Sequence, residues 1–289
     1  MIKKGIILAG GQGTRMSPLT KAVNKQLLPI YDKPLIYYPL SVLMLAGIKE
    51  ILIIVNKGQL SQFRKILFDG KRFGIKINYI EQKTPRGLPD AFILGEKFIG
   101  KDNIALILGD NFFYGQSLTK KLKNCIKLKT GCKILVHPVK KPELYGVADI
   151  GIKNNILSLK EKPKKSKSNL AVTGLYFFDN KVVELSKTLK PSKRKELEII
   201  DLLNKYKKKK GLSAEFLGRG GAWLDTGSID DFYNTSSFVS ALENRQGLKI
   251  ACLEEIALNY NWINKKDIKE SINFYGNCMY SNYLSKLIT

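Results

Sequence analysis

Lys4-Gly5-Ile6-Ile7-Leu8-Ala9-Gly10-Gly11-Gln12-Gly13-Thr14-Arg15 is the stretch from which the fold can be read. A short apolar run that stops abruptly at glycines has the pattern of a strand buried on both faces, as in a parallel sheet. The glycines behind it let backbone N–H groups cradle a phosphate chain with no Cβ in the way. The loop is not a Walker A motif, because no Gly-Lys-Ser/Thr follows, and Met16 occupies the third glycine position of a GxGxxG fingerprint. Arg15 and Lys25 add two cations to the same strand-exit loop, which suits a triphosphate.

Outward from this point strands and helices alternate. Pro34 to Ala46 reads as a helix with proline in its first turn, Glu50 to Val55 as a buried strand, and Gln59 to Leu67 as a helix. Lys76 to Glu81, Pro89 to Phe98 and Asn103 to Gly109 repeat strand, helix, strand. This order predicts an α/β fold, a Rossmann-like and mostly parallel sheet flanked by helices. Beyond Gly115 the order loosens into a helix near Leu118 to Leu128 and strands at Lys133 to Val139, Val147 to Ile152 and Ile156 to Leu159. A lysine-rich loop over Lys162 to Asn169 then precedes a buried strand at Ala171 to Phe178, which makes a small inserted β region. From Ile229 onward the pattern is a C-terminal helical tail, and no fixed repeat period occurs.

Composition narrows the classes. Hydrophobic residues are 44% of the 289, enough for a sizeable core. The longest apolar stretch, Leu35 to Ile48, contains Pro39 and is shorter than the roughly 20 residues a spanning helix needs. Ile6 to Ala9, after Lys3 and Lys4, is too short for the apolar region of a signal peptide, so a cytoplasmic protein is expected. Cys125, Cys132, Cys252 and Cys278 form no CxxC pair and read as reduced thiols. The single histidine, His137, rules out a His-rich zinc site and argues against a Ser–His–Asp triad; it lies in a strand-like run and reads as structural. Lys and Arg number 49 against 25 Asp and Glu, a net charge of +24. The excess lysine is spread over the chain, with one block at Lys207 to Lys210 ending a helical pattern, and aromatics do not interleave with it as a base-stacking surface requires. Attraction for polyanionic substrates is the better reading.

Two acids stand out on local grounds. Asp110 ends an apolar strand, the edge where α/β sheets bind ligands. Asp225 lies in Trp223-Leu224-Asp225-Thr226-Gly227, read as a short approach to a turn, where a lone carboxylate is usually a cap or solvated.

Taken with Pro18-Leu19-Thr20-Lys21 and Lys25-Gln26-Leu27-Leu28-Pro29, the glycine loop resembles the signature of nucleotidyltransferases that activate sugar 1-phosphates. Tyr31-Asp32-Lys33-Pro34, Ile36-Tyr37-Tyr38-Pro39-Leu40, Leu108-Gly109-Asp110-Asn111 and Tyr145-Gly146-Val147 are similar to the glucose-1-phosphate thymidylyltransferase branch. So are Glu161-Lys162-Pro163, Ala171-Val172-Thr173-Gly174-Leu175-Tyr176 and Ala222 to Gly227, in the family's order over nearly the whole chain.

The resemblance implies a catalytic domain over 1–245, with a nucleotide half at about 1–115 and a sugar half at about 130–228, and a helical extension over 246–289. It implies Mg²⁺-assisted in-line attack of glucose 1-phosphate on dTTP, giving dTDP-glucose and pyrophosphate for dTDP-rhamnose and surface-polysaccharide synthesis. Arg15, Lys25 and the metal would handle the triphosphate, Asp110 and Asp225 would hold Mg²⁺, and Lys162 would hold the sugar phosphate. Leu8, Gly10, Gly13, Thr14, Gln26, Gln82 and Gly87 would line the nucleotide, and Asn111, Gly146, Glu161 and Val172 the sugar. A phosphomonoester has a second pKa near ~6, so the nucleophile needs no general base. A homotetramer is implied, with neither nucleic acid nor membrane as partner. The family's second, regulatory nucleotide-sugar site would fall on Gly115, Arg219 and Glu255, although Asn259 stands where an arginine is usual. Arg86, Pro89-Asp90, Lys160 and Ala148-Asp149 also depart from the family pattern without removing an expected ligand. The alternative is a same-fold enzyme using UTP or another NTP. A non-catalytic relative is disfavoured by the presence of Arg15, Lys25, Asp110, Lys162 and Asp225 together, and a nucleic-acid-binding protein rests on charge alone.

Overall fold

The computed structural model describes residues 1–289 apart from the side chain of Lys153. In chain order, the first half runs β1 (Lys4–Ala9), β2 (Pro29–Ile30), β3 (Lys33–Pro34), α1 (Tyr37–Leu45), β4 (Glu50–Asn56), α2 (Leu60–Leu67) and β5 (Lys76–Gln82). It continues through α3 (Asp90–Leu94), α4 (Glu96–Ile99), β6 (Ile104–Leu108), β7 (Asn111–Gly115) and α5 (Leu118–Cys125). The second half comprises β8 (Cys132–Pro138), β9 (Gly146–Ile150), β10 (Ile156–Glu161), β11 (Leu170–Phe178), α6 (Val182–Lys187), α7 (Ile199–Lys208), β12 (Leu212–Phe216) and β13 (Gly221–Asp225). Four helices close the chain: α8 (Ile229–Gln246), α9 (Leu253–Asn259), α10 (Lys265–Tyr275) and α11 (Met279–Lys286).

Nine strands form the central sheet. Its main path is β10-β9-β11-β6-β1-β4-β5, with β8 and β12 added beside β11. Strands β6, β1, β4 and β5 are mutually parallel, which puts the C-terminal ends of β1, β4 and β5 side by side. The nine-residue β11 runs antiparallel to β6 at its C-terminal end and meets β9 at Ala171, so this one strand joins the nucleotide side of the sheet to the sugar side. Alternating residues of β1 and β4 feed opposite faces: Ile7, Ile51 and Ile53 pack with α1, α2 and the C-terminal helices, whereas Ile6, Leu52 and Ile54 pack with α3, α6 and α7. Helix α1 is apolar all round and buried along nearly its whole length, as expected of a core helix. A third cluster, including Met16, Ile30, Tyr38, Phe112 and Phe232, ties the glycine loop to β7 and α8. Among the described residues no helix is long and apolar enough to cross a membrane, and all four cysteines are free thiols.

Strands β2, β3, β7, β12 and β13 and helix α6 add to the expected elements, and one expected helix is divided. The helix expected over Pro89 to Phe98 is broken into α3 and α4 at Gly95. Asp225, read as lying on a short apolar approach to a turn, is the last residue of β13, which pairs antiparallel with β7 in a ribbon outside the main sheet.

Candidate active site

The nucleotide side is built at the ends of β1, β4 and β5. Gly11 and Gly13 adopt φ of 105° and 58°, values that favour glycine. Asn56, at the end of β4, grips this loop from both sides: Gly11 N donates to its Oδ1 at 3.0 Å, and its Nδ2 donates to Gly11 O at 2.8 Å. Thr20 Oγ1 donates to Gly13 O at 2.8 Å, fixing the turn that begins at Thr14. Asn24 caps the short turn Lys25–Leu27 by accepting from Gln26 N at 2.8 Å and is itself held to Gln59 at 2.6 Å. The capped turn delivers Lys25 and Gln26 into the interior, 9% and 3% exposed. Gln26 Oε1 is buried with no hydrogen-bond donor among the described residues. An orphaned buried acceptor costs about 1–3 kcal/mol, which a ligand N–H would relieve.

Gln82 ends β5, buried, and its amide lies directly over Gly10, where a Cβ would come within 3.0 Å of Gln82 Cδ. Leu8 O accepts from Gly109 N at 2.9 Å, which brings the ends of β1 and β6 together at the cleft. Gly87, with φ of 103°, is pinned by the segment preceding α7: Leu197 N donates to Arg86 O at 2.7 Å, and a Cβ on Gly87 would lie 2.2 Å from Leu197 O.

The acids meet through the β7–β13 ribbon. Its register sets Asn111 opposite Asp225, and Asp110 is the residue before β7. Thr226 closes the junction, its N and Oγ1 donating to Asp110 O at 3.1 and 2.8 Å. Asn111 is buried and bonded through both ends of its amide: Nδ2 donates to Asp110 Oδ1 at 3.1 Å, while Oδ1 accepts from Gly174 N at 3.1 Å and Trp223 Nε1 at 2.6 Å. Orienting Asp110 is therefore its evident task in this state. Lys25 Nζ donates to Asp110 Oδ2. Burial opposes ionisation of Asp110, but the charge and hydrogen bond of Lys25, aided by Asn111, hold its carboxyl below the ordinary range. Burial and then the charge of Asp110 push Asp225 up to about 6, against the pull of Lys25 and Arg15. Arg15 reaches this pair across Gly227, where a Cβ would sit 2.6 Å from its Nη2 and 3.1 Å from Asp225 Oδ1. Two adjacent carboxylates, Asp110 held low chiefly by Lys25 and Asp225 raised by burial and by Asp110, form a hard oxygen donor pair that fits Mg²⁺ with phosphates and water completing the shell. Among the described residues no cluster of three or more His, Cys, Asp or Glu offers a fuller metal cage.

On the sugar side, β9 and β10 place Gly146 opposite Glu161, and a Cβ on Gly146 would come within 3.3 Å of Glu161 Oε2. Burial raises the Glu161 pKa, partly countered by Lys162 and Arg194. Lys162 is exposed, in a positive-φ conformation at 42°, with its N–H donating to Tyr145 O at 3.0 Å. Val172, near the start of β11, is buried. His137, in β8, has a buried Nδ1 without a partner and a pKa lowered by burial.

Four contributors were not assigned from the sequence. Arg194 lies 3.4 Å from Glu161 Oε1 and 2.8 Å from Glu198 Oε2, Asn56 holds the glycine loop, Leu197 fixes Gly87, and Gly227 admits Arg15. Arg194 stands in Lys193-Arg194-Lys195, where no local pattern distinguishes it from its neighbours. Gly115 and Glu255 line a separate cavity of about 270 Å³ with Leu45, Tyr114, Leu118, Cys252 and Ile256. Arg219 is exposed and does not line that cavity.

The glycine loop at the end of β1, Arg15, Lys25, Asp110 and Asp225 form one constellation of cations and acids beside the β7–β13 ribbon, and comparison with known proteins shows the family. Residues 4–241 match the family model described as nucleotidyl transferase. A glucose-1-phosphate thymidylyltransferase of Neisseria gonorrhoeae is 52% identical over 99% of both chains. A Bacillus anthracis crystal structure assigned as a glucose-1-phosphate thymidylyltransferase, in complex with sucrose, is 39% identical with a TM-score of 0.75, over 81% of this chain and 94% of that one. A UDP-glucose pyrophosphorylase structure with UDP-glucose is 28% identical with a TM-score of 0.73, over 85% of this chain and all of that one. The chain belongs to the nucleotidyl transferase family and, within it, to the group of the glucose-1-phosphate thymidylyltransferases.

Proposed function

We propose that this chain transfers the thymidylyl group of dTTP to α-D-glucose 1-phosphate, releasing dTDP-glucose and pyrophosphate. The observation that carries the reading is the meeting of Asp110, Asp225, Lys25 and Arg15 beside the glycine loop, with the buried, unpartnered Gln26 Oε1 on the nucleotide side. Gln26 and Gln82 read the base, since an amide accepts from an N–H while donating to a neighbouring carbonyl. Gly10 and Gly87 leave room for its ring. Backbone N–H groups of the loop through Gly13 and Thr14, with Arg15 and Lys25, hold the triphosphate in line. Glu161, Gly146 and Val172 orient the sugar, and Lys162, with Arg194 beside Glu161, holds its phosphate. A sugar-phosphate oxygen bonds to the α-phosphorus while the bond to the bridging oxygen breaks and pyrophosphate leaves. Positioning and charge neutralisation dominate such a step. Asp110 and Asp225 would hold Mg²⁺, which when bound neutralises phosphate charge. In this reading residues 1–245 are the catalytic domain, and 246–289 extend it. The cavity at Gly115 and Glu255 would serve a regulatory nucleotide-sugar, with Arg219 brought in from outside. The enzyme works as a cytoplasmic homotetramer, and its product supplies dTDP-rhamnose for surface polysaccharide.

The similarity to a UDP-glucose pyrophosphorylase favours UTP as the second reading. Thymine and uracil differ by one methyl, and a pocket for one methyl discriminates by only about 1–3 kcal/mol. Pyrophosphate release across four NTPs and several sugar 1-phosphates tests both readings. We expect dTTP to be best, UTP a detectable second, and CTP and GTP near background; a preference for GTP or CTP overturns the assignment.

A further inference from the structure

Lys25 carries two assignments that it cannot satisfy at once. Its Nζ is hydrogen-bonded to Asp110 Oδ2, while Asp110 Oδ1 accepts from Asn111. Both oxygens of this carboxylate are thus engaged by the protein's own donors. Asp225, by contrast, receives no hydrogen bond on its carboxylate among the described residues. A divalent cation seated on Asp110 would lie against the Lys25 ammonium, and two cations at one oxygen repel strongly in a recessed site. In the proposed function the triphosphate also takes Lys25.

The backbone of Lys25 is immobilised by the Asn24 cap, but its four-carbon stem can carry the ammonium from one anion to another without moving the loop. Arg15 is exposed at the mouth of the same cleft, reaching across Gly227, so arriving phosphates meet Arg15 first and Lys25 next.

We infer that Lys25 is an exchangeable internal counter-ion: it occupies Asp110 in the free enzyme and leaves for the nucleotide's phosphates, so that Asp110 accepts a divalent cation only when nucleotide is bound. The inference rests on the reading of Asp110 as a metal ligand. Metal and nucleotide then enter as one unit. The free enzyme avoids leaving two recessed carboxylates facing each other with no cation, an arrangement that is strongly destabilising.

Mn²⁺ is the probe, its free concentration followed by electron paramagnetic resonance on nucleotide-free protein. Wild type should bind it only at millimolar concentrations or above, with a Tm unmoved by Mn²⁺. Lys25→Met should bind at least tenfold more tightly and gain several degrees in Tm when Mn²⁺ is added, because a ligand that binds only the folded state stabilises it. Lys25→Arg, which keeps the charge, should remain as weak as wild type, and Lys25→Met with Asp110→Asn should lose the gain. Tight Mn²⁺ binding by nucleotide-free wild type, or a Lys25→Met that binds no more tightly than wild type, overturns the inference. The wild-type arm decides even where the variant folds poorly. Water-proton relaxation of Mn²⁺·dTTP with wild type and Asp110→Asn tests the metal reading separately. Loss of the enhancement in Asp110→Asn, with no gain in Lys25→Met, leaves the metal reading standing and removes only the counter-ion role. Enhancement retained in Asp110→Asn removes both.

Discussion

Replacing Asp225 with asparagine should abolish turnover and make the nucleotide-free protein more stable. The carboxyl is pushed from 3.8 up to about 6, first by burial and then by Asp110, with Lys25 and Arg15 pulling the other way. At ~1.4 kcal/mol per pKa unit, a shift of this size represents on the order of 3 kcal/mol of disfavoured ionisation. Solvent at the mouth of the cleft screens part of it, leaving about 1–2 kcal/mol. Because the folded-state value lies above the unfolded one, the penalty is fully present above about 6 and disappears as pH falls from there toward 3.8. Urea denaturation in EDTA should therefore find Asp225→Asn more stable than wild type by about 1–2 kcal/mol at pH 7.5, with the gap closing below pH ~5. The comparison between variant and wild type isolates this group from carboxylates whose pKa is lowered. Turnover with saturating Mg²⁺ should fall by orders of magnitude in the same variant. An Asp225→Asn protein that is equally or less stable at pH 7.5, or a gap that persists unchanged at pH 4.5, would refute the argument that this carboxylate is held ionised at the expense of the fold.

Gly87→Ala forces a Cβ to within 2.2 Å of Leu197 O at a φ of 103°, so the loop must move; stability should fall by about 1–3 kcal/mol and the KM for dTTP should rise in steady-state assays. Lys162→Ala should raise the KM for glucose 1-phosphate by about 10–100-fold, the worth of a hydrogen bond to a charged group, while the control Lys164→Ala leaves it unchanged. Equal effects from the two would reduce Lys162 to surface charge. Gln26→Leu removes an acceptor that has no donor in the free protein, so the KM for dTTP should rise at least ~10-fold while the Tm of the nucleotide-free protein does not drop.

The glycine loop, the two cations and Asp110 were legible because each is a local signal: an apolar run fixes the strand, and the residues that follow it must emerge at a sheet edge. The alternating elements of the first half follow for the same reason, since periodicity acts over a few residues. Gln26 and Gln82 could be named, but nothing along the chain says that one of them ends as a buried acceptor lacking a donor. Asp225 marks the limit most clearly. Its surroundings resemble a turn, and only the β7–β13 ladder, with Thr226 bonded to Asp110 across 116 residues of sequence, turns it into the neighbour of Asp110. The same holds for Arg194, one cation among three consecutive ones, which acquires a role when β9, β10 and the segment before α7 bring Glu161 to it. Sequence determined the alternating elements of the first half and the chemistry that β1 and β6 carry to their ends. Tertiary structure alone decided which ends meet, because those contacts depend on strand pairing and burial between segments that share no local pattern.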